Sequence, residues 1–310
     1  MKKSETIIFF GNERLATGVG TKLPILKALV QSGYFVKAII IVPSKPVYSR
    51  KNRVNEVAEF AKQQNIPIHD FSQLLSEVKT LQSYKATIGV LAAYGKIVPR
   101  EIIDIFPKGI INIHPSLLPK HRGPIPIESA ILSGETDTGV SLMQLDENMD
   151  SGPIFDQSKI CLSGNDSKQD LADKLGVLGA QQLVDLLPDI LTGKITPQPQ
   201  SEQDISYDKR LTHNQGILDF TKTAQILERE VRAYYGWPRS KTSINSKTII
   251  VTAAHAQKGL TKKTGIATSR SGELAISSID GWLIIDRLIP AGGKEMCGAD
   301  YLRGNKILSI

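Results

Sequence analysis

The feature that most constrains this chain is the alternation, through its first 190 or so residues, of short apolar runs with stretches of helical spacing. Residues 6–10 are apolar and β-rich and end at Gly11. Residues 23–31 carry Leu23, Leu26, Leu29 and Val30 at helical spacing and stop at Gly33, and residues 36–42 are β-rich again before Pro43. The pattern continues with a helix over 54–64, a strand over 66–69, a helix over 74–81, a strand over 86–93, a short helix over 99–105 and a strand over 109–114. Strands over 140–145 and 154–161 then precede an amphipathic helix over 171–187. Strands that are apolar along nearly their whole length are covered on both faces. The prediction is therefore an α/β fold with a doubly wound, mostly parallel, Rossmann-like sheet.

A doubly wound sheet raises the question of dinucleotide binding, but no G-x-G-x-x-G opens the first helix. Gly11 stands alone, and Gly18-Val19-Gly20 follows seven residues later. Residues 192–206 are rich in Pro, Gln, Ser and Thr and poor in apolar side chains, which reads as a linker between a catalytic domain over 1–191 and a second domain over 207–310. In that second domain one helix, over 223–234, is followed by β-rich segments at 242–244, 247–253, 264–268, 273–277 and 282–288. Five short strands split by Asn, Gly and Ser turns predict a small OB-like β-barrel.

The formal net charge is +7, and its location is more informative than its size. Residues 1–207 hold 22 basic and 22 acidic side chains, whereas residues 208–310 hold 16 and 9. The whole excess lies on the appended β domain, as a surface that grips a polyanion or as a solubilising face. No apolar run approaches the ~20 residues of a membrane span, and the first residues lack a signal-peptide pattern, so the expectation is a cytoplasmic protein. The two cysteines, Cys161 and Cys297, have no neighbouring ligand pairs; neither a disulfide framework nor a metal site is expected.

Chemistry concentrates between residues 110 and 152. In Ile110-Ile111-Asn112-Ile113-His114, a period of two puts Asn112 and His114 on one face of a strand, at the carboxyl end where open α/β sheets hold their ligands. Pro115 ends the strand, and Ser116-Leu117-Leu118-Pro119 begins a Pro/Gly-punctuated loop suited to line an apolar slot. Asp150 lies in a turn after the strand over 140–145. An amide, an imidazole and a carboxylate that meet at one edge make a workable acyl-transfer site without a covalent nucleophile when the acceptor is itself an amine. Ser116 lacks the G-x-S-x-G elbow of a serine hydrolase.

The run from Asn112 to Pro119 with Arg122-Gly123, followed by Thr138-Gly139-Val140-Ser141-Leu142-Met143-Gln144-Leu145-Asp146 and Met149-Asp150-Ser151-Gly152, resembles the signature of the folate-dependent formyltransferase family. Ala92–Pro99, Arg232–Pro238 and Pro290–Met296 resemble further segments of its tRNA-acting branch, in the same order along the chain. The resemblance implies Asn112, His114 and Asp150 as catalytic residues and Ser116, Leu117, Leu118 and Pro119 as the folate-contacting segment. It also implies 10-formyltetrahydrofolate as formyl donor and initiator methionyl-tRNA as partner; the chain is expected to be a monomer. Lys45, Arg50, Lys51 and Arg53, on a shortened basic loop, and Arg239, Lys241, Lys247, Lys262 and Lys263 of the barrel are the candidate tRNA contacts. The same catalytic set serves formyl transfer to a sugar nucleotide or glycinamide ribonucleotide, and a non-catalytic RNA-binding protein is the alternative from another class. Besides the shortened loop there are two further departures from the family pattern. Gly11-Asn12-Glu13 and a longer run over 14–21 replace a Gly-Thr-Pro opening, and Pro115 stands where a small residue is usual.

Overall fold

A computed structural model describes residues 5–42 and 56–307. The first domain is built on a seven-stranded sheet in the order β3-β2-β1-β4-β5-β6-β7. Strands β1 (Thr6–Gly11), β2 (Phe35–Ile41), β3 (Ile68–Asp70), β4 (Ile88–Ala92) and β5 (Ile110–His114) are parallel. Strands β6 (Asp137–Gln144) and β7 (Ile154–Cys161) run antiparallel at one edge.

The period of two sorts the apolar side chains. Ile7 and Phe9 of β1 enter one core layer and Ile8 and Phe10 the other. Both layers are closed by helices: α1 (Pro24–Gln31), α2 (Glu56–Gln64) and α6 (Lys168–Thr192) on the first, α3 (Val78–Ser83) and α4 (Arg100–Ile103) beside the second. Helix α6 starts from a capping box in which Ser167 Oγ accepts from the Asp170 N–H and Asp170 Oδ2 accepts from the Ser167 N–H at 3.0 Å. Gly179 of this helix lies against the strand that carries the candidate site, since a Cβ there would stand 2.8 Å from Ile113 Cγ2. A side chain at 179 would push β5 away.

The altered opening after β1 has a physical role. The N-cap of α1, Leu23, offers no side-chain acceptor, and Glu13 supplies one from ten residues upstream. Its Oε2 accepts from Ile25 N–H at 2.8 Å and its Oε1 from Leu26 N–H at 2.7 Å, so a buried carboxyl group satisfies two of the orphan donors of the helix. Helix α5 (Pro126–Ser133) lies outside the elements predicted above. Its start is hidden by Gly123-Pro124-Ile125-Pro126, although Pro126 takes the first-turn position where proline is tolerated.

The second domain is an antiparallel sheet of six strands. β8 (Ser240–Ile244), β9 (Lys247–Lys258), β10 (Ala267–Arg270), β11 (Glu273–Ser277) and β12 (Gly281–Pro290) follow the order β10-β11-β12-β9-β8, and β13 (Met296–Cys297) pairs with β12. Helix α7 (Ala224–Ala233) lays Leu227 and Val231 on a core of Ile249, Val251, Leu283 and Ile285, and α8 (Gly298–Gly304) adds Tyr301. Strand β9 extends five residues past its predicted end because its partner β12 continues beside it to Gly281. Among the described residues no helix is long and apolar enough to cross a membrane.

Candidate active site

Strand β5 ends the parallel part of the sheet, and its side chains alternate as the sequence predicts. Ile111 and Ile113 join the core beneath α6, while Asn112 and His114 turn to the opposite face, 5% and 4% exposed. Asp150 meets them from the other side. Its Oδ1 accepts from Asn112 Nδ2 at 3.4 Å and stands 3.7 Å from His114 Nδ1. The route of Asp150 differs from the expected one. Because β6 runs antiparallel to β5, Gln144 at its end lies beside Ile111 rather than beyond His114. The chain has to turn back, with Gln144 N–H bonded to Pro153 O at 2.8 Å, before Asp150 reaches the amide and imidazole.

Asp150 is fixed through its other oxygen. Oδ2 accepts from Gly123 N–H at 2.8 Å. Gly123 has φ +116, and a Cβ there would lie 2.7 Å from Asp208 O, so only glycine brings this donor to the carboxylate. His114 Nε2 lies 2.9 Å from the backbone oxygen of His121. A carbonyl only accepts, so Nε2 carries the hydrogen and Nδ1 is left facing Asp150 as the nitrogen that can exchange a proton. The two contacts to Oδ1 are both long.

The loop after β5 is rigidly held. Ser116 Oγ donates to Lys120 O at 2.7 Å and is fully buried, which takes it out of any role as an exposed nucleophile. Ser141 Oγ donates to Ser116 O at 2.7 Å and accepts from Leu118 N–H at 3.1 Å, and Gln157 Nε2 donates to Leu118 O at 2.9 Å. Leu118 is buried, whereas Leu117 and Pro119 stay partly exposed. Of the four predicted folate-contacting residues, these two offer side-chain surface.

His121 anchors the far end of the loop, between Asp208 Oδ2 at 3.1 Å and Glu135 Oε1 at 2.9 Å. Burial alone would lower its pKa, but the two carboxylate hydrogen bonds outweigh it and hold the imidazole above its ordinary value. Gln200, inside the predicted linker, and Tyr207 and Asp208, just after it, close over this region, and sequence reasoning missed them. The signal available was Pro197-Gln198-Pro199-Gln200, whose prolines favour extended backbone; Gln198 there exchanges backbone hydrogen bonds with Ile154 at 2.7 and 2.8 Å.

The candidate tRNA contacts that fall among the described residues are spread over the second domain. Lys45, Arg50, Lys51 and Arg53 lie outside the described residues. Arg239 and Lys241 sit at the start of β8, where Lys241 Nζ approaches His213 Nε2 at 2.7 Å and His213 stands beside Trp237. Lys247 opens the twelve-residue β9, and Lys262 and Lys263 follow its other end. At strand rise that places them on the order of 30 Å from Lys247.

Residues 15–187 match the family model for formyl transferase and residues 210–306 that for the formyl transferase C-terminal domain. The α/β sheet with its Asn–His–Asp cluster and the appended antiparallel domain are thus the two parts of one architecture, and the chain belongs to the formyl transferase family. It is 35% identical over 306 residues to the methionyl-tRNA formyltransferase of Halorhodospira halophila, covering 97% of each chain, and 36% identical over 307 residues to that of Chloroflexus aggregans, covering 96% of each. Within the family it is one of the methionyl-tRNA formyltransferases. Its fold is also that of the N-formyltransferase of Helicobacter canadensis, solved with folinic acid and dTDP-3-aminofucose (TM-score 0.67, 20% identity, 96% of this chain and 100% of that one). HypX of Aquifex aeolicus in complex with tetrahydrofolic acid is similar at a TM-score of 0.67 and 16% identity, over 99% of this chain and 49% of that one.

Proposed function

We propose that the chain takes the formyl group from N10 of 10-formyltetrahydrofolate and places it on the α-amino group of initiator methionyl-tRNA, acting as a cytoplasmic monomer with Asn112, His114 and Asp150 as its catalytic residues. The observation that carries the reading is the convergence of an amide, an imidazole and a carboxylate at the carboxyl end of a parallel strand. The residues fit such a donor. Leu117 and Pro119 present apolar surface on a loop held by Ser141 and Gln157, beside a buried amide that has an N–H to spare after meeting Asp150.

The donor, when bound, supplies an electrophilic formyl carbon attached to a nitrogen leaving group. Asn112 donates to the formyl oxygen as negative charge develops there, and it does so from a site with little water, where such a donor is worth most. His114 moves the proton lost by the attacking amine towards the folate nitrogen, using Nδ1 because Nε2 is committed to His121 O. Asp150 lies beside the ring where positive charge arises. The basic face of the second domain, with Arg239, Lys241, Lys247, Lys262 and Lys263, and the loop over 45–53 hold tRNA phosphates.

Purified protein with 10-formyltetrahydrofolate is to be offered initiator methionyl-tRNA, elongator methionyl-tRNA, a dTDP-amino sugar and glycinamide ribonucleotide in separate reactions. Formyl-methionine on the initiator tRNA is the expected product. Formylation of an amino sugar or of glycinamide ribonucleotide in its place, or of no acceptor at all, overturns the reading.

A further inference from the structure

The segment between the two domains reaches into the scaffold of the active site. Arg122, buried in the loop after β5, donates from Nε and Nη2 to Gln200 Oε1 at 3.0 and 2.7 Å and from Nη1 to Tyr207 OH at 2.8 Å. The other end of the Gln200 amide points at the catalytic turn, where Nε2 donates to Asp150 O at 2.9 Å and to Gly152 O at 2.8 Å. The amide has one workable orientation. A guanidinium only donates and a backbone carbonyl only accepts, so a reversed amide would set donor against donor and acceptor against acceptor.

Asp150 needs such support. Its backbone has φ +50, in the left-handed region that an aspartate adopts at a cost and keeps only where its surroundings enforce it. The direction in which its carboxylate leaves the backbone follows from that conformation. With the carbonyls of Asp150 and Gly152 both tied to Gln200, Oδ2 reaches Gly123 N–H and Oδ1 faces Asn112 and His114. Ser206 reinforces the arrangement, since its Oγ accepts from His121 N–H at 2.8 Å and its carbonyl from Arg122 N–H at 3.0 Å.

We infer that Gln200 is a positioning residue for Asp150, so that the interdomain segment completes the catalytic geometry rather than merely spanning two domains. The inference rests on the reading of Asp150 as catalytic. Misplacing a catalytic group by about 1 Å costs up to about 10²-fold in rate, so loss of Gln200 is expected to lower turnover while leaving both substrate sites formed.

The test uses the full-length chain as Gln200→Ala, Gln200→Glu, Asp150→Asn and the double variant Gln200→Ala/Asp150→Asn, each with its unfolding midpoint measured. Gln200→Glu keeps an acceptor for Arg122 but cannot donate to the two carbonyls, so it isolates the bond to the catalytic turn and answers even where Gln200→Ala does not fold. The expected result is a roughly 10–100-fold fall in kcat for either Gln200 variant, with KM for folate and tRNA within about threefold. In the Asp150→Asn background, Gln200→Ala should change kcat by less than about threefold, because the group it positions is already impaired. A residue with only a general structural role would multiply with Asp150→Asn instead. Multiplying losses, or wild-type kcat in Gln200→Glu, overturn the inference. Wild-type kcat in Asp150→Asn would instead remove the catalytic reading of Asp150 on which it stands.

Discussion

The ammonium of Lys168, at the start of α6, donates to the carbonyl of Trp237 in the second domain at 2.7 Å. It also donates to Thr17 O at 2.7 Å and approaches Glu128 Oε1 at 3.3 Å, with both charged side chains fully buried. Lys168 thereby joins the long loop after β1, helix α5 and the Gly236-Trp237-Pro238 turn. Gly18 and Gly236 allow the backbones to meet there, a Cβ on Gly236 falling 2.3 Å from Gly18 O. Burial is the largest influence on both charges and pulls each towards neutrality, Lys168 below its ordinary pKa and Glu128 above.

Such a pair adds little over an apolar replacement but is expensive to break from one side. Lys168→Met is expected to destabilise the chain by about 3–5 kcal/mol, because it leaves the Glu128 carboxylate buried without its counter-charge, held by the Thr17 N–H, and the carbonyls of Thr17 and Trp237 without their donor. Lys168→Met/Glu128→Gln should recover a large part of that loss. The urea midpoints of the two variants, measured side by side, check the ordering.

Glu13 gives stability a pH dependence. Burial raises its pKa from 4.5 to about 7, against the lowering effect of the hydrogen bonds from Leu26 and Ile25. Between those values the folded chain retains a proton that the unfolded chain has released. Stability therefore falls as pH rises through that window and is level above about 7. The gap corresponds to about 3 kcal/mol. Denaturation at about pH 5 and about pH 7.5 should show the Glu13→Gln variant losing about 2 kcal/mol less than the wild type across the interval; equal slopes would show that the buried carboxyl does not titrate there.

Whatever has a short period was legible in the sequence, and whatever depends on distant partners was not. The alternation Ile111-Asn112-Ile113-His114 places two polar groups on one face whatever the neighbours are, and the structure keeps them there. The direction of β6 is not in its pattern, because an apolar strand reads alike parallel or antiparallel; the return of Asp150 to mid-strand was hidden with it. Gln200 was read as part of a spacer because its neighbours are polar and Pro-rich. Its partner Arg122 is 78 positions away, beyond the reach of any local rule. The Gly11-Asn12-Glu13 opening was visible as a departure, but its meaning required the missing cap of α1.

Replacement of the three site residues should separate chemistry from folding. Losing one oxyanion donor typically costs about 10²–10³ in rate, so Asn112→Ala is expected to lower kcat by that factor. His114→Ala is expected to lose about 10²–10⁴ as a proton-transfer group. Asp150→Ala should fall in the same range while remaining folded, since its contacts to Asn112 and His114 are long and one of its oxygens serves only Gly123. Single-turnover formylation with saturating donor, alongside an unfolding midpoint for each variant, reads both quantities. A folded Asp150→Ala chain with near wild-type turnover would exclude the Asn–His–Asp mechanism.

The basic excess of the second domain predicts a steep salt dependence. Each phosphate contact adds about 0.9 to the slope of log affinity against log salt for duplex nucleic acid. Arg239 and Lys241 stand at the junction with the catalytic domain, near Trp237, while Lys247 lies at the far turn of the β8–β9 hairpin. If the tRNA is held at that junction, Arg239→Ala and Lys241→Ala each reduce the slope by about one contact. Lys247→Ala should change it less. Titration of the tRNA at three or more salt concentrations measures these slopes, and a flat dependence in the wild-type chain would assign the charge to solubility instead.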